Sequence, residues 1–273
     1  MNRGFSFDLD GRVGVVTGGA GVLCGTIATE LAKQGARVAI VDLNADAGSR
    51  VVDEIRGSGG HAVCIAADVL SKASLEKAAK DVVGHFGKID FLINGAGGNK
   101  REATTSEELD FFELPEDAFR FVFDLNLVGT FLTTQAFGRF LLKSEQGCII
   151  NISSMAAIRP LTRTPAYSCA KAAVSNFTQW LAVHVSLTYS TKIRVNAIAP
   201  GFFLTEQNRY LLLTNETELS ERGRTIVAHT PMGRFGCPDD LVGVVLWLLS
   251  PGASFVHGAA IPVDGGFSAF GGV

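Results

Sequence analysis

A chain of 273 residues with 47% hydrophobic and 19% charged side chains has the apolar material for one continuous core and too few charges for disorder to prevail. A net charge of −3 offers no basic face on which a phosphate backbone could release counterions, so nucleic acid is not expected as a partner and a small molecule is. Five cysteines (Cys24, Cys64, Cys148, Cys169, Cys237) are odd in number and form no C-x-x-C pair, which argues against disulfides and structural zinc and for small buried residues with reduced thiols.

From the N-terminus, Met1 to Asp8 has no apolar core behind a basic start, and the apolar run Leu241 to Leu249 is too short to span a bilayer, so a cytoplasmic location without membrane contact is expected. Short β-branched runs at Val13–Val16, Val38–Val41, Ala62–Ile65, Phe91–Ile93, Cys148–Ile150 and Ile193–Val195 are nearly continuous in apolar character, as strands covered on both faces must be. Helical stretches lie between them. Ile27 to Gln34 ends at Gly35, a C-cap glycine; Ser71 to Phe86 follows, and then Pro115 to Leu142, with two acids in its first turn. Strand and helix in alternation predict an α/β fold with a doubly wound parallel sheet of Rossmann type. Gly97 to Leu114 is the one long polar connection, and a loop of that length is functional or mobile.

Thr17-Gly18-Gly19-Ala20-Gly21-Val22-Leu23-Cys24-Gly25 follows the first strand and runs into a helix, the place where bare backbone can approach a pyrophosphate held by helix amides. Asp42 ends the second strand, where an acid accepts hydrogen bonds from ribose hydroxyls and repels a 2′-phosphate; neither Leu43 nor Asn44 offers a cation, so NAD is favoured over NADP. The alternative is that Asp42 caps the helix after it. Asp68, with Val69 just past the third strand, is placed beside an adenine or serves as a turn residue. Tyr167 and Lys171 stand four apart on one helical face, where a cation favours the phenolate and lowers the phenol pKa. Ser154, after its strand, can hold a substrate oxygen. The histidines are dispersed and no G-x-S-x-G elbow occurs, so neither a catalytic metal nor a serine hydrolase is expected.

Thr17-Gly18-Gly19, Asn94-Gly95-Ala96-Gly97, Asp124-Leu125-Asn126, Ile152-Ser153-Ser154, Tyr167-Ser168-Cys169-Ala170-Lys171, Asn196 to Gly201 and Val263-Asp264-Gly265-Gly266 together resemble the short-chain dehydrogenase/reductase family over essentially the whole chain. The resemblance implies a single domain over 1–273 with a substrate lid near 202–230. It implies Tyr167 as general acid/base, Lys171 lowering its pKa and holding the nicotinamide ribose, Ser154 orienting the substrate, and Asn126 relaying protons through water. The expected cofactor residues are Gly18, Gly21, Leu23, Asp42, Asp68, Val69, Asn94, Ala96, Gly97, Tyr167, Lys171, Pro200, Gly201 and Thr205. The family pattern has glycine where this chain has Val22 and Cys24. Valine tolerates positive φ poorly, so Gly21 is expected to take over the turn, with the Cys24 thiol near the phosphates.

Asn94 to Asn99, Asn151 to Met155, Arg159 to Thr162 and Gly201 to Arg209 look more narrowly like the D-mannonate oxidoreductase (fructuronate reductase) branch of the family. A sugar acid needs a cation for its carboxylate and polar groups for its hydroxyls. Arg163, Arg209 and Asn99 are the substrate candidates, with Lys100, Arg101, Arg159, Gln207 and Asn208 near the same loops. A polyol or ketogluconate dehydrogenase is the alternative enzyme. A non-catalytic dinucleotide-sensing protein is the alternative class, disfavoured by the intact Asn126, Ser154, Tyr167 and Lys171. The resemblance also implies a homo-oligomer, specifically a homotetramer.

Overall fold

The computed structural model describes residues 7–205, 208–215 and 218–272. Seven strands, β1 (Val13–Thr17), β2 (Arg37–Asp42), β3 (His61–Ala66), β4 (Phe91–Asn94), β5 (Gly147–Ile152), β6 (Ile193–Pro200) and β7 (Ala260–Val263), pair in the order β3-β2-β1-β4-β5-β6-β7. Every pairing is parallel. The six runs identified from the sequence are six of these strands. The seventh was not read as one, because Pro262 interrupts a short, half-exposed run; proline is tolerated there because β7 is an edge strand.

The helices are α1 (Val22–Lys33), α2 (Ala45–Gly57), α3 (Lys72–Phe86), α4 (Glu116–Phe123), α5 (Gly129–Leu141), α6 (Pro165–Thr188), α7 (Arg209–Leu212), α8 (Glu221–Ala228) and α9 (Val242–Leu249). They cover both faces of the sheet. On one face Ile27 and Leu31 of α1, Val52 and Ile55 of α2, and Val245 and Leu248 of α9 pack on Val16, Ile40 and Ile150. On the other, Leu75 and Val82 of α3, Phe137 and Leu141 of α5, and Leu181 and Val185 of α6 pack on Val15, Leu92 and Val195. Alternate strand residues therefore feed two cores, which is why the strands are apolar on both sides. The single helix expected over Pro115 to Leu142 is interrupted by a π-helical turn over Asp124–Val128. Helical periodicity cannot reveal one extra residue in a turn, and such bulges gather at functional sites.

Strand order reverses between β1 and β4, so their following connections leave in opposite directions and open a crevice at the C-terminal edge. Register brings Thr17, Asn94 and Asn151 to one level there. Asn94 Nδ2 donates to Asn151 Oδ1 at 2.8 Å and to Thr134 Oγ1 at 3.0 Å. Asn151 Nδ2 donates in turn to Thr178 Oγ1 at 2.8 Å. The result is a buried polar rung from α5 through β4 and β5 to α6. Among the described residues no helix is long and apolar enough to cross a membrane.

The β1–β4 contact is close enough to test. A Cβ on Gly14 would lie 1.9 Å from the ring of the fully buried Phe91. Gly14→Ala should therefore destabilise the protein by about 1–3 kcal/mol through overpacking, read as a lower urea midpoint with unchanged slope. An unaltered midpoint would show that the two strands can separate freely.

Candidate active site

The turn after β1 supplies bare backbone. Gly18 is left-handed at φ 65, and a Cβ there would sit 2.8 Å from Ala96. Gly21, expected to carry the turn, is instead extended (φ −77, ψ 157) and is the N-cap of α1. The sequence expectation misplaced the strain: Val22 already lies within the helix, so no positive φ falls on it. No side chain caps α1, which leaves its positive end to whatever approaches the turn. Leu23, in the first turn of α1, packs against the core. The thiol of Cys24, expected near the phosphate turn, lies against Gly95, where a Cβ would be 2.2 Å from Sγ. Burial pushes it up to about 12, with the positive charge of Lys171 opposing, so it stays protonated. All five cysteines are free, but Cys169 and Cys237 are exposed, contrary to the expectation that each is buried.

Asp42 accepts from the amides of Ala20 and Asn44 at 3.0 Å each. Asn44, not Asp42, caps α2; the acid instead ties the glycine turn to the end of β2. Asp68 accepts from the Leu70 amide at 2.9 Å, so it is a turn residue by geometry, and Val69 packs against Gly129. Thr17 Oγ1 accepts from the amides of Gly95 and Ala96, and fixes the turn after β4 beside the turn after β1. Pro200 ends β6, and Gly201 donates to Val263 O at 3.0 Å. The Thr205 amide donates to Asn208 Oδ1 at 2.8 Å, and Asn208 donates to Phe203 O at 2.7 Å.

Four side chains converge over β4 and β5. Ser154 Oγ accepts from the Ala156 amide at 3.1 Å and is hydrogen-bonded to the Tyr167 phenol. The body of Tyr167 packs among Ala103, Ala118, Val122 and Ala166. Lys171 Nζ donates to Ile152 O at 2.7 Å and lies 5.6 Å from the centroid of the Tyr167 ring. Asn126, fully buried in the π-helical turn, donates to Gly98 O and Val122 O at 2.7 Å each and accepts from the Gly98 amide at 3.2 Å. Gly97 has to be bare, since a Cβ would lie 2.6 Å from Asn126 Oδ1 and 3.3 Å from Lys171 Nζ.

The expected lowering of the Tyr167 pKa is reversed in this geometry. Burial raises the phenol above its ordinary value, and the Ser154 hydrogen bond offsets only part of that. Lys171 is itself brought down to about 8 by burial, and its ammonium is directed to the Ile152 carbonyl. With that charge directed at a carbonyl, burial of the phenol prevails.

The substrate candidates scatter. Asn99 Nδ2 donates to Thr104 Oγ1 at 2.9 Å and Arg159 Nε to Ser268 O at 2.7 Å. Lys100 lies 5.3 Å from the Phe121 ring centroid, Arg101 is exposed, and Arg209 opens α7. Gln207 lies outside the described residues. Arg163 is exposed, with φ 73. Sequence reasoning missed Arg222, at the start of α8, whose guanidinium is lowered by burial and then by the charge of Arg163. It sits in a polar stretch with no motif, and only folding brings the two arginines within electrostatic reach. Among the described residues there is no group of three or more His, Cys, Asp or Glu suited to a metal ion.

Comparison with known proteins places this geometry. The family profile described as enoyl-(acyl carrier protein) reductase matches residues 21–268. The uncharacterized oxidoreductase UxuB of Bacillus subtilis is 50% identical over 97% of this chain and 98% of its own. A Haemophilus influenzae protein provisionally named a D-mannonate oxidoreductase, crystallised with bound NAD, superposes with a TM-score of 0.92 at 44% identity, covering 97% of this chain and 98% of that one. The D-threitol dehydrogenase of Mycolicibacterium smegmatis is 34% identical over 97% of this chain and 95% of its own.

Lys171 makes stability depend on pH. Its folded pKa of about 8 lies below its ordinary 10.5, so between these values the unfolded chain binds more protons and stability rises with pH. Below pH 8 the burial penalty, on the order of 3 kcal/mol, is fully present, and above 10.5 it is gone. Lys171→Met should remove this rise, seen as a difference in urea midpoint between the two proteins that changes steadily in the wild type's favour from pH 8 to 10. Parallel profiles would mean that the ammonium is not desolvated.

Proposed function

The chain belongs to the short-chain dehydrogenase/reductase family, and on that premise we propose that it interconverts D-mannonate and D-fructuronate with NAD, Tyr167 giving and taking the proton. The observation that carries the chemistry is the meeting of Ser154, Tyr167 and Lys171 at the C-terminal edge of the central strands. The residues present fit NAD: a turn at Gly18 too close to Ala96 for any side chain, an α1 N-terminus that no side chain caps, and Asp42 at the end of β2. Gly18, Gly21 and Leu23 would hold the pyrophosphate, Asp42 the adenosine ribose, Asp68 and Val69 the adenine. Asn94, Ala96, Gly97, Tyr167, Lys171, Pro200, Gly201 and Thr205 would hold the nicotinamide half. Bound NAD takes up a hydride in oxidation and, once reduced, delivers one.

In reduction, Tyr167 Oη gives its proton to the ketone oxygen as the carbon is reduced, and Ser154 donates a hydrogen bond to the same oxygen. A phenol held protonated by burial is the form reduction needs. Lys171 holds a ribose hydroxyl from the position its bond to Ile152 sets. Asn126 acts as a positioning residue: both amide hydrogens are engaged, so it braces the Gly97-Gly98 turn rather than passing a proton through its side chain.

The sugar-acid reading is supported by the provisional name of the Haemophilus influenzae structure and by cationic side chains, Arg163 in the loop after β5 and Arg209 at the start of α7 after β6, with Asn99 in the loop after β4. The D-threitol relative keeps a polyol dehydrogenase as the second reading. Residues near 202–230, carrying α7 and α8, form the lid. A homotetramer is supported by the exposed aromatic row of Phe131, Trp180 and Tyr189, with Phe177 and Trp180 stacked at 6.3 Å between centroids.

With NADH, D-fructuronate should be reduced about 30-fold or more as efficiently as D-fructose, since a bound carboxylate is desolvated and paired. Tyr167→Phe should keep cofactor affinity and lose about 10²–10⁴-fold in kcat. Equal efficiency on the two sugars ends the acid reading, and near-normal turnover by Tyr167→Phe ends the mechanism.

Cofactor choice is a separate test. NADH should be preferred to NADPH, and Asp42→Ala should narrow the preference without inverting it, because repulsion goes and no attraction is gained. A wild-type preference for NADPH would remove Asp42 from the ribose.

A further inference from the structure

Arg163, at φ 73, is the only non-glycine residue with positive φ among those described. It lies in the turn that leads into α6, where turn chemistry with a left-handed residue favours glycine or asparagine. Such a conformation persists only where surrounding structure imposes it. The helix does not impose it. Thr164, the next residue, is of a type that caps helices well, yet it makes no side-chain cap bond to α6, and its Oγ1 is buried without a partner among the described residues. What the conformation delivers is the Arg163 carbonyl, which accepts from the Thr105 amide at 2.9 Å and so ties the loop after β5 to the loop after β4.

That bond closes one end of a wall. At the other end Gly98 is held by Asn126 through both its amide and its carbonyl. Between these anchors Asn99 Nδ2 donates to Thr104 Oγ1 at 2.9 Å, and Thr104 Oγ1 donates to the Lys100 carbonyl at 2.9 Å, so residues 98–105 are cross-tied. Ala103, 1% exposed, is the inner face of the wall and packs in one cluster with Ala118, Val122, Ala166 and the body of Tyr167. We propose that Arg163 is a positioning residue through its main chain: its left-handed backbone latches the loop after β4 to the entrance of α6, and the latched loop holds Tyr167 in place against Ser154. Tyr167 stands about one helical turn beyond the latch, so in a close-packed cluster a shift of the residue 163 carbonyl is passed to the phenol. Any residue that tolerates left-handed φ can present this carbonyl, and a β-branched one cannot. The role is independent of the guanidinium, which the sugar-acid reading above assigns to a substrate carboxylate.

The test sets Arg163→Gly and Arg163→Asn, which both accept left-handed φ, against Arg163→Val. All three lack the guanidinium, so whatever it does for an acid cancels between them. With NADH and D-fructuronate, Arg163→Gly and Arg163→Asn should agree within about threefold in kcat, and Arg163→Val should fall about 10- to 100-fold below both with KM for NADH unchanged, because the phenol is displaced while the cofactor turns are not. Thr105→Pro removes the amide donor and follows Thr104, which is already extended at φ −122 and ψ 123 as a residue before proline prefers; it should lose a similar factor in kcat with the arginine intact. Without any substrate, hydrogen exchange at the Thr105 amide should be slow in the wild type, Arg163→Gly and Arg163→Asn, and at least about tenfold faster in Arg163→Val. A glycine variant as impaired in kcat as the valine variant overturns the latch, and so do valine and proline variants that both match glycine. If Arg163→Val does not fold, Thr105→Pro decides against the wild type. A wild type inactive on D-fructuronate ends the sugar-acid reading and leaves the latch to the same kcat comparison in D-threitol oxidation and to the exchange rates, where equal exchange at Thr105 in the glycine and valine variants overturns it.

Discussion

The side chain of Asn94 joins two strands and a helix at the level where the site is built. Its amide hydrogens go to Asn151 on β5 and Thr134 on α5, and Asn151 carries the rung on to Thr178 on α6. Apolar packing alone would let these layers slide, because dispersion is not directional. A buried amide with misplaced partners costs far more than a shifted methyl. The rung therefore fixes the height of α6 relative to the sheet, and α6 carries Tyr167 and Lys171. Its other end fixes α5, which begins just after Asn126. The oxygen of Asn94 remains buried without a partner, an imbalance of the kind that accumulates where a fold serves a site.

Burial then sets the chemical character of that site. Tyr167 and Lys171 are both driven toward their neutral forms, and so is the thiol of Cys24. Lys171, brought down only to about 8, keeps its charge at neutral pH, so the pocket holds one desolvated cation beside a neutral phenol and a neutral thiol.

Much of this was legible in the residues. β1, β2, β4 and β5 announced themselves because strands buried on both faces are written in continuous apolar runs. The phenol and lysine became legible through the company of the other family segments, the i, i+4 spacing alone being common on helix faces. What could not be read was decided by tertiary contact. The positive φ moved from Gly21 to Gly18 because the close approach is to Ala96, which is distant in sequence. The phenol pKa rose because burial outweighed a lysine directed at a backbone carbonyl. Arg222 escaped notice because it lies in a polar stretch with no motif, and only folding half-buries it.

The π-helical turn over Asp124–Val128 also constrains what the chain can lose. One residue of an α-helix turns the chain by about 100°, and the extra residue lets α4 present Ala118 and Val122 to one cluster while α5 presents Phe137 and Leu141 to another. Deleting one residue within 124–128 would restore a regular helix and rotate one half against the other. Either Asn126 would leave the Gly97-Gly98 turn or the α5 core would face solvent. In this stretch substitution is an open route for variation and change of length is a closed one, so the distance along the chain from the second glycine turn to the α5 core behaves as a fixed dimension of the fold.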